Sequence, residues 1–188
     1  MVNFFASCIV VLAAIGFVSP CFSTDNPSTD WSKSSLNDVR NAAEGGNATA
    51  QRYLGYCYAA GQKVDKDLTA AVSWYRKAAE RDDAFSQVEL GLCYRDGRGV
   101  ARDDAEAARW FRKAAEQGDA DGQTRLGLCY RDGRGVAKNP VEAVKWFREA
   151  AEQGDAAAQM CLGLCYRDGI GVAKDPAKAA KWLYDAAD

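Results

Sequence analysis

The sequence predicts an all-α fold, an α/α superhelical solenoid assembled from 36-residue helix-turn-helix repeats. A Leu-Gly-x-Cys-Tyr block recurs with this fixed period, beginning at Leu54, Leu90, Leu126 and Leu162. Helix-capping residues recur with the same period, and each cap precedes a broad apolar helical face. A fixed period without insertions indicates a stack of similar units rather than one closed globule.

The N-terminal segment predicts export. Residues 1–23 contain no charged side chain, and an apolar run extends from Phe4 to Val18. A run of this length suits the hydrophobic region of a secretory signal better than a membrane span. We therefore predict a signal peptide over residues 1–23 with cleavage after Ser23, and a secreted or periplasmic protein. An uncleaved N-terminal membrane anchor is the alternative.

The rest of the chain divides into a short leader and the repeats. Residues 24–35 are rich in Ser, Thr and Asp, which predicts a flexible leader. Residues 36–188 carry about four repeats, preceded by an N-terminal half unit. The half unit, Leu36 to Glu44, matches a second helix of the repeat, but Asp38 stands where the next unit has Trp74. A polar outer helix is typical of the end of a helical array.

The first helix of each unit carries the recurring block. In the second unit we predict a helix from Ala84 to Arg95, with Leu90 and Tyr94 on one face because they lie four residues apart. Gly91 has no side chain, which favours close approach of a neighbouring helix. The Gly-Arg-Gly-Val segment at 97–100 then ends the helix, and we expect its valine to contact the core.

The second helix of each unit begins at a strong capping residue. These caps are Asp67, Asp103, Asn139 and Asp175. Glu106 and Glu142 lie three residues after their caps, which predicts a reciprocal capping box in two units. The inward apolar face of one such helix comprises Ala107, Trp110, Phe111, Ala114 and Ala115. Gly118 and Gly154 are expected to end their helices, whereas the earlier unit has Asp82 at that position.

Composition restricts the possible partners and cofactors. The net charge of −2 leaves no large basic surface for nucleic acid, and we predict no membrane contact once the signal is removed. Five cysteines follow residue 23: Cys57, Cys93, Cys129, Cys161 and Cys165. Equivalent positions of stacked helices lie about 10 Å apart, whereas a disulfide needs Cα atoms within roughly 7 Å. We therefore interpret these cysteines as small packing residues.

Cys161 and Cys165 lie one helical turn apart and could hold a metal or become oxidised. Two thiols do not complete a zinc site, however, and the chain contains no histidine. We predict neither a metal nor a cofactor.

These residues resemble the Sel1-like repeat family, which is related to the tetratricopeptide repeats. The resemblance is carried by Ala120–Gly135, with its Leu-Gly and Gly-x-Gly elements, and by Trp146–Glu152, and it covers about residues 36–188. It implies an α/α superhelix and a role as an adaptor or scaffold. Lys63 replaces the second loop glycine of the first unit, so we expect that loop to deviate. In some secreted members of the family, paired cysteines link successive units by a disulfide, but the matching positions here are Ala151 and Gln159.

The same resemblance implies that the first helix of each unit lines a concave groove. Its register gives an apolar stripe of Tyr56, Leu92, Leu128 and Leu164. A second stripe, one turn later, consists of Arg95, Arg131 and Arg167, each followed by an aspartate. Such stripes could bind an extended peptide or its carboxylates, with Phe85, Arg52, Thr124 and Met160 varying the floor between units. Alternatively, the arginines pair locally with the aspartates and the leucines simply pack.

The leading functional hypothesis is an exported, non-enzymatic scaffold that binds a protein or peptide through this concave face. One alternative is an enzyme resembling β-lactamases or penicillin-binding proteins, a label attached to some cysteine-rich relatives. The sequence contains neither Ser-x-x-Lys nor Lys-Thr-Gly, which a serine enzyme of that type requires. The other alternative is a cell-wall or glycan binder that uses Trp and Tyr rings as stacking platforms.

Overall fold

A computed structural model of the chain describes residues 30–187. The predicted signal peptide and the first part of the predicted leader lie outside these residues. The chain divides into two units, of which the first ends at Lys33 and the second spans Ser34–Asp188. In the first unit, the Lys33 N–H donates to the Asp30 carbonyl at 3.1 Å, which closes a turn.

The described part of the second unit is helical and contains no strand. Its helices are α1 (Leu36–Glu44), α2 (Ala48–Ala60), α3 (Leu68–Ala79), α4 (Ala84–Asp96), α5 (Asp104–Glu116), α6 (Ala120–Asp132), α7 (Pro140–Glu152), α8 (Ala156–Asp168) and α9 (Pro176–Asp185). Each helix packs against the next, so that α2 to α9 form four pairs of a first and a second helix. The predicted all-α repeat fold is confirmed. None of these helices combines the length and the apolarity that a bilayer-spanning segment needs.

The recurring block supplies the core of every unit. The four block leucines, from Leu54 to Leu162, are completely buried. Close packing explains the glycine that follows each leucine, as predicted. A Cβ atom at Gly91 would lie 2.5 Å from the Phe111 ring, and one at Gly127 would lie 2.5 Å from the Phe147 ring. Any larger residue would therefore push the second helix away from the first.

Each second helix begins at its predicted cap, but the predicted capping box does not form. The Asp103 carboxylate accepts hydrogen bonds from the N–H groups of Ala105 and Glu106 at 2.9 and 3.0 Å. The Asp103 N–H itself donates to the Tyr94 carbonyl at 2.9 Å, so it is not available to Glu106. The Glu106 carboxylate instead accepts from Arg109 at 3.0 Å. In the next unit, Asn139 donates to Tyr130 and Glu142 accepts from Lys145.

The expectation that the Lys63 loop deviates is wrong. Lys63 has a φ of 63°, close to the 69° of the corresponding Gly99. A Cβ at Gly99 would lie 2.2 Å from the carbonyl oxygen of Leu68, the first residue of α3. The helix that corresponds to α3 one unit earlier, α1, begins one turn later in the repeat register, at Leu36. The first unit therefore lacks the turn of helix that excludes a side chain in the later units.

A ladder of glutamines joins successive units, and the sequence analysis missed it. Each first helix carries a glutamine three residues before its block leucine, and its amide donates to the end of the preceding second helix. The pairs are Gln51 to Ala43 at 2.8 Å, Gln87 to Ala79 at 3.1 Å, Gln123 to Ala115 at 3.4 Å and Gln159 to Ala151 at 3.4 Å.

The cysteines are packing residues, as predicted. All five cysteines of the described chain are buried. Burial raises the pKa of the Cys57 thiol, and it raises the pKa of Cys93 and Cys129 to about 11. These thiols are therefore protonated at neutral pH.

Candidate protein-interaction face

The first helices present one recurring line of side chains. On α4 it comprises Phe85, Glu89, Leu92 and Arg95, whose spacings of three and four residues place them on one side of the helix. We call these four positions on α2, α4, α6 and α8 the first-helix face. The face contains every binding residue predicted from the sequence: Tyr56, Phe85, Leu92, Arg95, Leu128, Arg131, Leu164 and Arg167.

The apolar stripe of the first-helix face, which consists of Tyr56, Leu92, Leu128 and Leu164, lies at the edge of the core. Leu92 is only 8% exposed and belongs to the cluster around Phe111. Leu128 is half-buried and packs against the core formed by α7 and α8. Leu164 and Tyr56 are also half-buried, and the Tyr56 hydroxyl accepts a hydrogen bond from Gln62 at 3.1 Å. These side chains therefore offer partial apolar surfaces rather than protruding anchors.

Each arginine of the second stripe pairs with the aspartate that follows it in the chain. Arg95 donates two hydrogen bonds to the next residue, Asp96, at 2.7 and 2.9 Å. Arg131 and Arg167 do the same with the aspartates that follow them. Burial opposes ionisation of Asp96, but the hydrogen bond from Arg95 and the positive charges of Arg95, Arg98 and Arg125 together outweigh it and keep the pKa of that carboxyl below its usual value. The geometry thus agrees with the alternative of local Arg–Asp pairs, which leave part of each arginine exposed.

Four residues were predicted to vary the floor of the groove between units: Phe85, Arg52, Thr124 and Met160. One of them, Phe85, does not occupy the same repeat position as the other three. The 36-residue period aligns Arg52, Thr124 and Met160 with Val88, not with Phe85. The Arg52 guanidinium nevertheless lies 5.5 Å from the centre of the Phe85 ring, and it forms an ion pair with Asp83 at 3.1 Å. Arg52 and Phe85 therefore form one joint surface between the first and second units.

A charged cluster lies at the centre of the face. Burial raises the pKa of Glu89, and the positive charges of Arg98 and Arg125 partly offset this effect. Arg125 forms an ion pair with Asp121 at 2.9 Å. The sequence analysis missed this cluster although a signal was present. The repeat position of Glu89 holds Tyr53, Arg125 and Cys161 in the other units, directly before the invariant block leucine.

Four of the five tryptophans, Trp74, Trp110, Trp146 and Trp182, lie on the second helices and are buried or half-buried. Trp110 is 6% exposed, and the Lys113 ammonium lies 4.6 Å from the centre of its ring. Lys77 lies 3.9 Å above Trp74, and Lys181 lies 5.3 Å above Trp182. Lysine side chains therefore occupy ring faces that a stacked sugar would need.

Fold and face together define an all-α repeat protein whose units share one helical frame and differ in the side chains of one face. The chain belongs to the Sel1 repeat family, whose pattern matches residues 48–83, 84–119, 120–155 and 156–188. Proteins of this family are generally non-enzymatic scaffolds for protein–protein interaction. The comparisons do not support the enzyme alternative.

Solved structures show the same repeats. A protective antigen present in uropathogenic Escherichia coli strains, with a Sel1-like repeat fold, is 43% identical over 82% of this chain and 33% of its own (TM-score 0.80). A Sel1 repeat protein from Oxalobacter formigenes is 39% identical over 79% of this chain and 59% of its own (TM-score 0.76). This chain thus spans only part of both relatives. Helicobacter pylori cysteine rich protein B is 26% identical over 67% of this chain and 96% of its own (TM-score 0.53). No curated protein matches the sequence.

Proposed function

We propose that this chain is an exported, non-enzymatic scaffold that binds a protein or peptide across the first-helix face. The supporting observation is that this face changes its chemistry from unit to unit on an unchanging frame. The position of Phe85 holds Thr49, Asp121 and Ala157 in the other units, and none of these side chains is buried. Such differences alter what the surface recognises without altering the fold.

Export is supported by the uncharged, apolar character of residues 1–23. With cleavage after Ser23, the protein is secreted or periplasmic. Intact-mass measurement of the protein from its native source tests this part. A mass that begins at Thr24 supports cleavage, and a mass that includes the apolar segment favours the uncleaved anchor.

The arginine stripe offers a direct test of the first-helix face as a binding surface. We expect simultaneous Arg95→Glu, Arg131→Glu and Arg167→Glu changes to reduce recovery of the partner roughly tenfold or more, since three contacting charges are reversed. The measurement is a quantitative pull-down from the native exported fraction, with circular dichroism to confirm that the helices remain intact.

The second helices provide a matched control at the same 36-residue spacing. Arg109, Lys145 and Lys181 are exposed, and two of them also pair with a nearby glutamate. Changing all three to Glu alters the net charge by the same amount on a different face. Equal loss of partner in the two triple variants would show that the first-helix face is not the contact surface.

A further inference from the structure

Glu89 and Arg125 carry opposite charges and lie on neighbouring first helices in the middle of the first-helix face. They occupy the same repeat position, on α4 and α6, and these two first helices contact each other directly. The positive charge of Arg125 acts on Glu89 and opposes the rise of its pKa. In the outer units the corresponding residues are Tyr53 and Cys161, so within the described repeats this carboxylate–guanidinium combination occurs once.

The charges around this pair cancel. Arg125 pairs with Asp121 at 2.9 Å, Arg95 pairs with Asp96 at 2.7 Å, and Arg98 lies 3.6 Å from the same aspartate. Glu89 belongs to none of these pairs. The cluster therefore contains three positive and three negative groups: Arg95, Arg98, Arg125, Glu89, Asp96 and Asp121.

A neutral cluster of this kind discriminates against charged ligands. A ligand cation approaching Glu89 would be repelled by Arg98 and Arg125, and a ligand anion approaching Arg125 would be repelled by Glu89 and Asp121. A primary carboxamide carries no net charge. Its NH₂ group can donate to the Glu89 carboxylate while its oxygen accepts from the Arg125 guanidinium. Both hydrogen bonds involve a charged partner, which makes them stronger than neutral ones.

We propose that Glu89 and Arg125 form a carboxamide subsite that recognises an Asn or Gln side chain of an extended peptide. This inference rests on the proposed function of the first-helix face. Phe85 and Leu92, one turn to either side of Glu89, supply apolar contacts for the peptide around that residue. Neighbouring units lie about 10 Å apart, which corresponds to roughly three residues of extended chain. Peptide residues that contact Tyr56 and Leu128, in the neighbouring units, are therefore about three positions from the carboxamide.

Peptide libraries with one fixed central residue test this subsite. Decapeptides with Asn, Gln, Leu, Asp or Lys at the centre and mixed apolar flanks are bound to the immobilised protein and counted by sequencing. We expect Asn and Gln centres to be retained about tenfold more than the other three, the factor typical of one hydrogen bond to a charged group. Glu89→Leu and Arg125→Leu should each remove this preference.

Two exposed residues on second helices give matched controls. Glu152→Leu at the end of α7 and Arg109→Leu on α5 make the same chemical changes away from the face and should leave the preference unchanged. Retention of peptides with no carboxamide preference, or a preference that survives both face variants, overturns the subsite but leaves the proposed function standing. Failure of the unsubstituted protein to retain any peptide also overturns the subsite, whereas the pull-down with the two triple variants decides the proposed function separately.

Discussion

At the scale of single residues, the caps of the first helices show how one substitution changes an electrostatic environment. Two of these caps receive a hydrogen bond from a side chain of the preceding unit: Asp83 from Arg52 at 3.1 Å and Asp155 from Thr124 at 2.9 Å. At the same register position before Asp119 the chain has Val88, which has no donor. Burial raises the pKa of Asp119, and the hydrogen bond from the Gly122 N–H opposes this rise.

Val88→Thr should supply the absent donor and lower the pKa of Asp119, because the new hydrogen bond favours the charged form. In the unsubstituted protein, the raised pKa of Asp119 contributes stability below its unfolded value of about 3.9, and this contribution is lost as the pH rises through the folded value. Val88→Thr should therefore be less destabilising at pH ~7 than at pH ~3, by on the order of 1 kcal/mol. Urea unfolding at both pH values measures the difference.

Val144→Thr is the control for the cost of burying a hydroxyl group. Val144 is 3% exposed and lies on α7 within an apolar cluster. Its substitution should destabilise the protein by a similar amount at both pH values. If the two threonine variants show the same pH dependence, the hydroxyl introduced by Val88→Thr does not reach Asp119.

At the scale of helices, two acceptors compete for the N–H group of the residue that caps the second helices α5 and α7. One is a carboxylate in the same helix, and the other is a carbonyl of the preceding helix, which the sequence of the second helix does not reveal. Asp103 and Glu106 have the spacing of a capping box. The Asp103 N–H is already engaged by the Tyr94 carbonyl of the preceding helix. One half of the box, the cap itself, is therefore present, and the other half is replaced by the Glu106–Arg109 ion pair.

Single alanine substitutions at these two positions should consequently have unequal effects. We expect Asp103→Ala to lower the free energy of unfolding by about 1 kcal/mol, because two backbone N–H groups lose their acceptor. We expect Glu106→Ala to lower it by about 0.5 kcal/mol or less, since its partner Arg109 is exposed to solvent. Urea unfolding compares the two directly, and equal losses would indicate a complete capping box in solution.

At the scale of the whole molecule, the repeat multiplies small local effects. The same buried thiol, glutamine and leucine recur in each unit, and each unit is bonded to the next through the glutamine ladder. Because the contribution of each unit adds to that of its neighbours, a property of one repeat position becomes a property of the array.

The buried thiols should make the whole array sensitive to alkaline pH. Burial raises the pKa of Cys57, Cys93 and Cys129, so the neutral thiol is favoured in the folded chain. The resulting stability is complete below the unfolded pKa of about 8.5 and is lost as the pH rises through the folded value, about 11 for Cys93 and Cys129. We expect the free energy of unfolding to fall by on the order of 1 kcal/mol per thiol across this window.

Urea unfolding at about pH 8 and pH 10.5 measures this fall. A variant with these three cysteines changed to alanine is the control, because it retains Tyr75, whose pKa is also raised by burial. Its stability should depend less steeply on pH. The same slope in both proteins would rule out the thiols as the cause.

Much of the fold was predictable because it depends on patterns that are local or repeated. The caps, the loop glycines and the apolar face follow from residues close together in the chain, and the period shows that each unit meets a similar neighbour. The first-helix face could also be placed by register. The pairing of its charges could not be decided, because the sequence left local Arg95–Asp96 pairs as one of two alternatives and did not reveal that Glu89 and Arg125, on different helices, act on each other.

By itself, the sequence determined the period, the helix pairs and membership of the Sel1 repeat family, since a pattern repeated every 36 residues admits few other folds. The tertiary structure decided which partner each polar group takes. In the folded chain the Asp103 N–H donates to the Tyr94 carbonyl and the Gln159 amide donates to the Ala151 carbonyl. Lys63 adopts the positive φ that the later units have at glycine. These outcomes depend on contacts between groups on different helices and loops, and only the packed chain brings these groups together.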